Sequence, residues 1–98
     1  MKKKVFNYYA DNIAELFGLN KKDIFTKTKS RDVVDARYML YYLCSERPME
    51  VTYIIKFMGD NGYDIARTNI HYGIKEMKKK IVEDVDLSMT FKNIQEGA

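Results

Sequence analysis

Apolar residues recur at helical spacing along most of the chain, and this period predicts a series of short helices. The first apolar stripe ends at Gly18, a residue type that commonly terminates helices. Its members are Val5, Tyr9, Ile13, Leu16 and Phe17. A short second helix is predicted over the sequence LNKKDIF, with Asn20 as its cap and Asp23 completing an approximate capping box.

A third and a fourth helix follow a polar loop. The third is predicted to start at a cap formed by Ser30 or Asp32. It should end by Arg47, because the residue before a proline is disfavoured in the α region. Its stripe comprises Val33, Val34, Arg37, Leu40, Tyr41 and Cys44. Pro48 is predicted to lie in the first turn of the fourth helix, near Glu50 at the positive end. The fourth stripe comprises Val51, Ile54, Ile55 and Met58.

The strongest turn signal is the sequence GDNGYD, centred on Asn61-Gly62. A long helix is predicted after it. Its inward positions are Ile70, Ile74, Met77 and Ile81, and its outward positions are Lys75, Lys78 and Lys79. Residues 86–98 have weak patterning and form either a short helix or a loose tail. The pattern therefore predicts an all-α bundle of about five helices over residues 1–85, with a helix–turn–helix and a C-terminal tail at 86–98.

Composition and charge narrow the functional classes. A chain of 98 residues forms one domain, and no apolar run approaches the roughly 20 residues that span a bilayer, so no membrane partner is expected. The single cysteine, Cys44, excludes an internal disulfide and suits a reducing cytoplasm. The net charge of +3 is segregated, with basic runs at 27–31 and 78–80 and an acidic run after Ile81. A basic face for a nucleic-acid partner is therefore plausible.

The stretch TKTKSRDVVDAR at residues 26–37 combines a basic loop with the start of the third helix. Such a loop is either a solvated surface segment or a DNA contact. Arg37 lies within an apolar pattern, where a core helix would not favour an arginine. It either contacts DNA beside the loop or forms an ion pair with Asp32, Asp35 or Glu46. The run Lys78 to Lys80 is interpreted as an exposed helix face.

The first turns of the last helix carry residue types that read base edges in a helix–turn–helix. Arg67 can bond guanine through two hydrogen bonds, Asn69 can bond adenine in the same way, and the Thr68 methyl can pack on thymine. His71 and Tyr72 are further candidates on these turns, and Lys75 can reach a phosphate. His71 is alternatively a packing residue.

No group of residues predicts catalysis. His71 is the single histidine and lacks the partner ligands of a zinc site, so neither a metal nor a cofactor is expected. Cys44 lies on an apolar stripe and is interpreted as a core thiol. The acidic pair Glu83 and Asp84 has no partner base or pocket. The chain is therefore not expected to be an enzyme.

From about Ile13 to Ile81 the sequence resembles the C-terminal DNA-binding domain of the bacterial replication initiator DnaA, whose fold is related to the Trp repressor. The stretch IAELFGLNKKDIFTKTKSRDVVDARYMLYYL is similar to the family's first helix end, short second helix, basic loop and next helix. MEVTYIIKFMG and ARTNIHYGIKEMKKKI are similar to its helix–turn–helix. The resemblance implies an all-α fold, double-stranded DNA as partner and monomeric binding to a non-palindromic site.

The resemblance also implies roles for particular residues. The family's basic loop reaches a minor groove and its phosphates, and this carries over to Lys27, Thr28, Lys29, Ser30 and Arg31. The arginine after that loop contacts bases or backbone and falls on Arg37, with Tyr38 beside it. In the recognition helix, Arg67, Thr68 and Asn69 are expected to set specificity, with His71 as a further contact. Lys75 is expected to add phosphate affinity.

The sequence departs from the family in three respects. Of the family's Asp-His-Thr-Thr or Asp-His-Ser-Thr signature, which falls on residues 66–69, only Thr68 is kept, so a different target sequence is expected. The longer turn DNGYDI allows the recognition helix to start as early as Asp64. The 98 residues also lack the Walker motif of the initiator's ATPase domain, so the expectation is a stand-alone module of the kind a phage or mobile element carries.

Two functions follow as expectations. The first is sequence-specific binding of double-stranded DNA by a cytoplasmic, nucleoid-associated monomer that regulates replication initiation or transcription. The alternative is a protein-interaction module that retains the fold and binds a replication initiator or polymerase component.

Overall fold

The computed structural model describes residues 1–97, which fold into six α-helices without a β-strand in that range. The all-α prediction is confirmed, with one helix more than expected. The helices are α1 (Lys2–Phe17), α2 (Lys21–Ile24), α3 (Arg31–Glu46), α4 (Val51–Asp60), α5 (Arg67–Glu83) and α6 (Val85–Gly97). None of the helices within residues 1–97 is long and apolar enough to cross a membrane.

The predicted ends of the first three helices agree with the structure. Gly18 ends α1 with φ of 67°, a left-handed conformation that glycine adopts without strain. The backbone N–H of Asn20 donates to the Asp23 carboxylate at 3.0 Å, as the predicted capping box requires. Ser30 occupies the N-cap position of α3, and Arg47 occupies its C-cap position.

One predicted helix start is wrong. Pro48 precedes α4 instead of lying in its first turn, and Glu50 is the N-cap. The chain turns back here, since the Met49 N–H donates to the carbonyl of Cys44 at 2.8 Å. The last predicted helix begins at Arg67, within residues 66–69 where the family signature falls, and the earlier start allowed near Asp64 is not used, because Ala66 is still extended (φ −83°, ψ 150°).

The C-terminal segment forms a packed helix. Residues Phe91 and Ile94 of α6 are buried, and the Phe91 ring stacks on Tyr42 of α3 with centroids 4.7 Å apart. Of the two conformations left open for residues 86–98, the helix is therefore the one adopted over residues 86–97. The predicted boundary at residue 85 does not separate α6 from the rest of the core.

Helix α3 lies at the centre of the core and packs most extensively against α5 and α1. Its crossing with α5 is close at Gly73, where an added Cβ would lie 2.6 Å from Cδ1 of Tyr38 and 3.0 Å from Cδ2 of Tyr41. The two helices are also joined by an ion pair, with Lys80 Nζ 2.6 Å from an Asp35 oxygen. This crossing fixes the first turns of α5 relative to α3.

Candidate nucleic-acid interface

The basic loop between α2 and α3 is exposed from Thr26 to Ser30. The Ser30 N–H donates to the Thr28 hydroxyl at 3.1 Å, and the Thr26 hydroxyl donates to the Lys22 carbonyl at 2.9 Å. Among the described residues no acidic group pairs with Lys27 or Lys29. Both ammonium groups are therefore available to an anionic partner.

Arg31 lies apart from these lysines. It is the first residue of α3 and lines a groove of about 420 Å³ with the ends of α5 and α6. The groove carries both signs of charge, because Asp35, Glu83 and Asp84 line it together with Lys80. The basic residues predicted to contact DNA through the loop therefore differ in their surroundings. Lys27 and Lys29 have no acidic partner in residues 1–97, whereas Arg31 lies beside acidic groups.

Arg37 is enclosed by the protein, with only 5% of its surface exposed. Its Nε donates to the Ile24 carbonyl at 2.8 Å, and its Nη2 donates to the Thr26 carbonyl. The guanidinium also lies over the Tyr63 ring, 4.6 Å from the centroid. Direct contact between Arg37 and DNA does not fit this burial. The alternative ion pair with Asp32, Asp35 or Glu46 does not form within residues 1–97 either.

The role that the structure gives to Arg37 is to fix the base of the basic loop. The two carbonyls that it binds belong to the end of α2 and the first loop residue. Through Tyr63 the same side chain joins the loop to the connection between α4 and α5. The loop is also close to the start of this connection, because Thr26 and Asn61 line one cleft of about 490 Å³.

The first turn of α5 is exposed at Arg67, Thr68 and Asn69. The N-cap residue is Ala66, which has no side-chain acceptor, so the positive end of the helix stays uncapped by a side chain. Arg67 Nη2 is 3.2 Å from the Thr52 hydroxyl of α4, which tethers the guanidinium at the surface. Base-reading residue types therefore stand at an accessible helix N-terminus.

The remaining predicted contacts on α5 share an exposed face. His71 and Lys75 follow Thr68 at helical spacing and are both exposed. The exposure of His71 supports its placement on the surface over the packing alternative. Of the run Lys78 to Lys80, predicted as an exposed helix face, Lys78 and Lys79 are exposed, whereas Lys80 is half-buried in its ion pair with Asp35. Lys78 lies 5.7 Å from the Tyr42 centroid, and Lys79 pairs with Glu76 at 3.6 Å.

A cleft of about 160 Å³ lies between α3, the α4–α5 connection and the first turns of α5. We name it the tyrosine cleft. Its lining comprises Val34, Arg37, Tyr38, Tyr41, Tyr63, Ile65, Asn69 and Tyr72. Tyr38 meets Tyr72 edge to face, with centroids 6.2 Å apart and an interplanar angle of 80°. The lining of the cleft thus includes both Arg37, which fixes the loop, and Asn69, which lies on the predicted recognition helix.

Tyr41 forms the buried part of this cleft. Its ring is fully buried, and its hydroxyl has no hydrogen-bond partner within residues 1–97. An unpartnered buried hydroxyl costs about 1–3 kcal/mol. Burial raises the pKa of Tyr41 above its ordinary value of 10.0, with a further increase from Tyr63 and an opposing effect of Arg37. The pKa of Tyr38 is also raised, mainly by burial. The Tyr41 hydroxyl is thus a neutral donor at physiological pH.

The sequence did not indicate two parts of this surface. Lys2 lies over the ring of Tyr53 on α4, 4.9 Å from its centroid, next in sequence to the Thr52 that bonds Arg67. Lys2 therefore adds a positive charge beside α4. The basic opening MKKK is a composition signal for such a charge but does not show which helix it lies beside. The tyrosine cleft has no such signal, because it is formed by residues from three separate segments.

Groups able to hold a metal ion, with three or more His, Cys, Asp or Glu together, do not occur within residues 1–97. Cys44 is fully buried, and burial raises the pKa of its thiol well above the ordinary range, as a core thiol requires. Comparison of the chain with protein-family models and with curated proteins finds no match.

Proposed function

We propose that this protein binds double-stranded DNA, with the basic loop on phosphates and the first turns of α5 in a groove. The observation that supports this most is the double role of Arg37. One guanidinium binds the carbonyls at the base of the loop and stacks on Tyr63 of the connection that leads into α5. A loop held in this way keeps its lysines at a fixed separation from the predicted recognition helix, as contact with one rigid duplex needs.

The side chains of the basic loop and those of the first turn of α5 suit different parts of DNA. Lys27 and Lys29 are exposed without an acidic partner in residues 1–97 and suit phosphate oxygens. Arg67 and Asn69 are residue types that can read guanine and adenine through paired hydrogen bonds, and both are exposed at a helix N-terminus without a side-chain cap. The proposal therefore assigns affinity mainly to the loop and to Lys75, and specificity to the first turn of α5.

The cellular role is proposed with the binding. A monomeric, sequence-reading protein of this kind, associated with the nucleoid, would regulate replication initiation or transcription by occupying its site. The support is the resemblance to the DnaA C-terminal domain over residues 13–81, together with the all-α architecture.

The test is the salt dependence of binding to duplexes selected from a random pool at physiological salt. Each phosphate contact contributes about 0.9 to the slope of log affinity against log salt concentration. Lys29→Ala should weaken binding to all sequences and reduce the slope by about one. Lys92→Ala is the matched control, since Lys92 is an exposed lysine on α6, outside the proposed interface. Absence of both enrichment and a salt-sensitive complex would overturn the proposal.

A second candidate function is binding of a protein, such as a replication initiator or polymerase component. It is favoured by an apolar surface where α5 meets α6. Val82 is 86% exposed, Val85 is 72% exposed and Met89 is 58% exposed. Exposed apolar side chains grouped in this way are typical of protein contacts. Val85→Asp should abolish such binding and leave DNA affinity unchanged, which separates the two functions.

A further inference from the structure

Apart from Asn69, the lining of the tyrosine cleft is not used by the proposed contact with regular duplex DNA. Helix–turn–helix readout requires groups that project into a groove, whereas this cleft recedes between α3 and α5. Its volume of about 160 Å³ exceeds what one water molecule occupies. Four of its eight lining residues are tyrosines, and of these Tyr72 is exposed.

Besides the tyrosines, the polar residues of the lining are Arg37 and Asn69, and Asn69 suits a planar, hydrogen-bonding ring. The Asn69 amide supplies one acceptor and two donors from the first turn of α5. Tyr41 belongs to the lining with a fully buried ring, and its hydroxyl, which is shielded from solvent, has no partner within residues 1–97. Arg37 is the one cationic residue of the lining, and the Nε and Nη2 of its guanidinium already bind backbone carbonyls instead of a phosphate.

We propose that the tyrosine cleft is a nucleobase-binding pocket that takes an unstacked base beside Tyr72, with its edge toward Asn69. Bases stack on aromatic side chains irrespective of sequence because every base has a π face. An amide beside the ring then distinguishes bases by their donor and acceptor edges. That the base comes from bound DNA, at a position between the loop and α5, rests on the proposed function.

The position of the cleft favours DNA as the source. Its wall includes Arg37, which fixes the basic loop, and Asn69, which belongs to the predicted recognition helix. A duplex held by both elements would pass over the mouth of the cleft. Extruding a base from a duplex costs unstacking and unpairing free energy, and the cost is smallest for a base that is already unpaired. A duplex with one unpaired base should therefore bind more tightly than its matched counterpart.

The first experiment tests the pocket without DNA. Backbone amide shifts of the ¹⁵N-labelled protein are followed during titration with adenosine monophosphate and, separately, with ribose 5-phosphate. The expected result is a saturable shift at Asn69 and Tyr72 with the nucleotide only. Equal shifts with both compounds would mean that the phosphate alone is bound, and no shift at the cleft would mean that no base is bound. Either result overturns the inference.

The second experiment tests the source of the base. We expect a duplex with a single unpaired adenine to bind about tenfold more tightly than the matched duplex. Tyr72→Ala should abolish this preference, and the variant should fold because the ring is 56% exposed. Tyr8→Ala is the matched control, because Tyr8 is an exposed tyrosine on α1 outside the cleft. A preference that survives in Tyr72→Ala would overturn the inference.

The two experiments keep the two proposals apart. Duplex binding without nucleotide shifts and without a preference for the unpaired base overturns the pocket and leaves the proposed DNA binding intact. Nucleotide shifts without any duplex binding overturn the proposed DNA binding and support a pocket for the base of a free nucleotide.

Discussion

The guanidinium of Arg37 lies 4.6 Å from the centroid of the Tyr63 ring. This contact joins α3 to the connection between α4 and α5, and the same guanidinium donates to two carbonyls beside the basic loop. Three segments that are separate in sequence therefore depend on one buried side chain. Arg37 is also the single buried charged residue within residues 1–97.

Replacement of Arg37 should lower stability. Arg37→Ala leaves the carbonyls of Ile24 and Thr26 without their donor and removes the cation–π contact, so the free energy of unfolding should fall by about 2–4 kcal/mol. Urea denaturation measures this change. Arg47→Ala, at an exposed arginine that ends α3, is the control and should stay within about 0.5 kcal/mol of wild type. An equally small loss for Arg37→Ala would contradict the structural role.

Gly73 should not tolerate a side chain. A methyl group at this position would lie 2.6 Å from Tyr38 and 3.0 Å from the fully buried Tyr41, so these packed rings would have to shift. Gly73→Ala should therefore destabilise the protein by about 1–3 kcal/mol, although alanine favours helices.

Gly59 offers the matched control within α4. There an added Cβ meets only an Asp64 carboxylate oxygen at an ordinary 3.6 Å. Gly59→Ala should raise the free energy of unfolding by up to about 1 kcal/mol through helix propensity. Equal effects of the two substitutions in urea denaturation would mean that the close approach of α3 and α5 is not as described.

Local signals explain why the first part of the fold could be predicted. Gly18 ends α1, and Asn20 with Asp23 starts α2, because these residues act on backbone groups within a few positions. Proline is common in the first turn of a helix, which is why Pro48 is predicted to lie there, but a tertiary or turn contact can override this preference. The Met49 N–H bonds back to Cys44 instead, which places the proline in the preceding turn.

Long-range contacts explain what the sequence could not predict. The partners of Arg37 are backbone carbonyls 11 and 13 residues earlier, and carbonyls leave no mark in a pattern of side chains. The ring of Tyr63, which lies in the connection between α4 and α5, packs on the same guanidinium. Helix α5 begins after this connection, at Arg67. The helix at residues 86–97 likewise depends on tertiary packing of Phe91 on Tyr42.

Arg67 and Lys75 should affect DNA binding differently. If Arg67 reads guanine, Arg67→Ala should reduce discrimination at one base position by about 1–3 kcal/mol. Lys75→Ala, further along the exposed face of α5, should weaken binding to all sequences alike. Competition between the selected duplex and single-base variants measures both effects. A uniform loss in Arg67→Ala would reassign Arg67 to the phosphates.

Tyr41 should make stability fall at alkaline pH. The pKa of Tyr41 is raised in the folded protein above its ordinary value of 10.0, mainly by burial. Below about pH 9 the tyrosine is neutral in both states, so the full stability is present. As the pH rises further, the unfolded chain loses this proton while the folded protein keeps it. The free energy of unfolding then falls by up to about 1.4 kcal/mol per pH unit.

Tyr41→Phe isolates this contribution. At pH 7 the variant should be more stable than wild type by about 1 kcal/mol, because it removes a buried hydroxyl without a partner in residues 1–97. Its stability should also fall less steeply between pH 10 and pH 11, roughly the range in which unfolded tyrosine ionises. Cys44 remains in both proteins, so its own titration cancels in the comparison. Urea denaturation across this range measures the difference, and parallel curves would show that Tyr41 ionises as readily in the folded state as in the unfolded one.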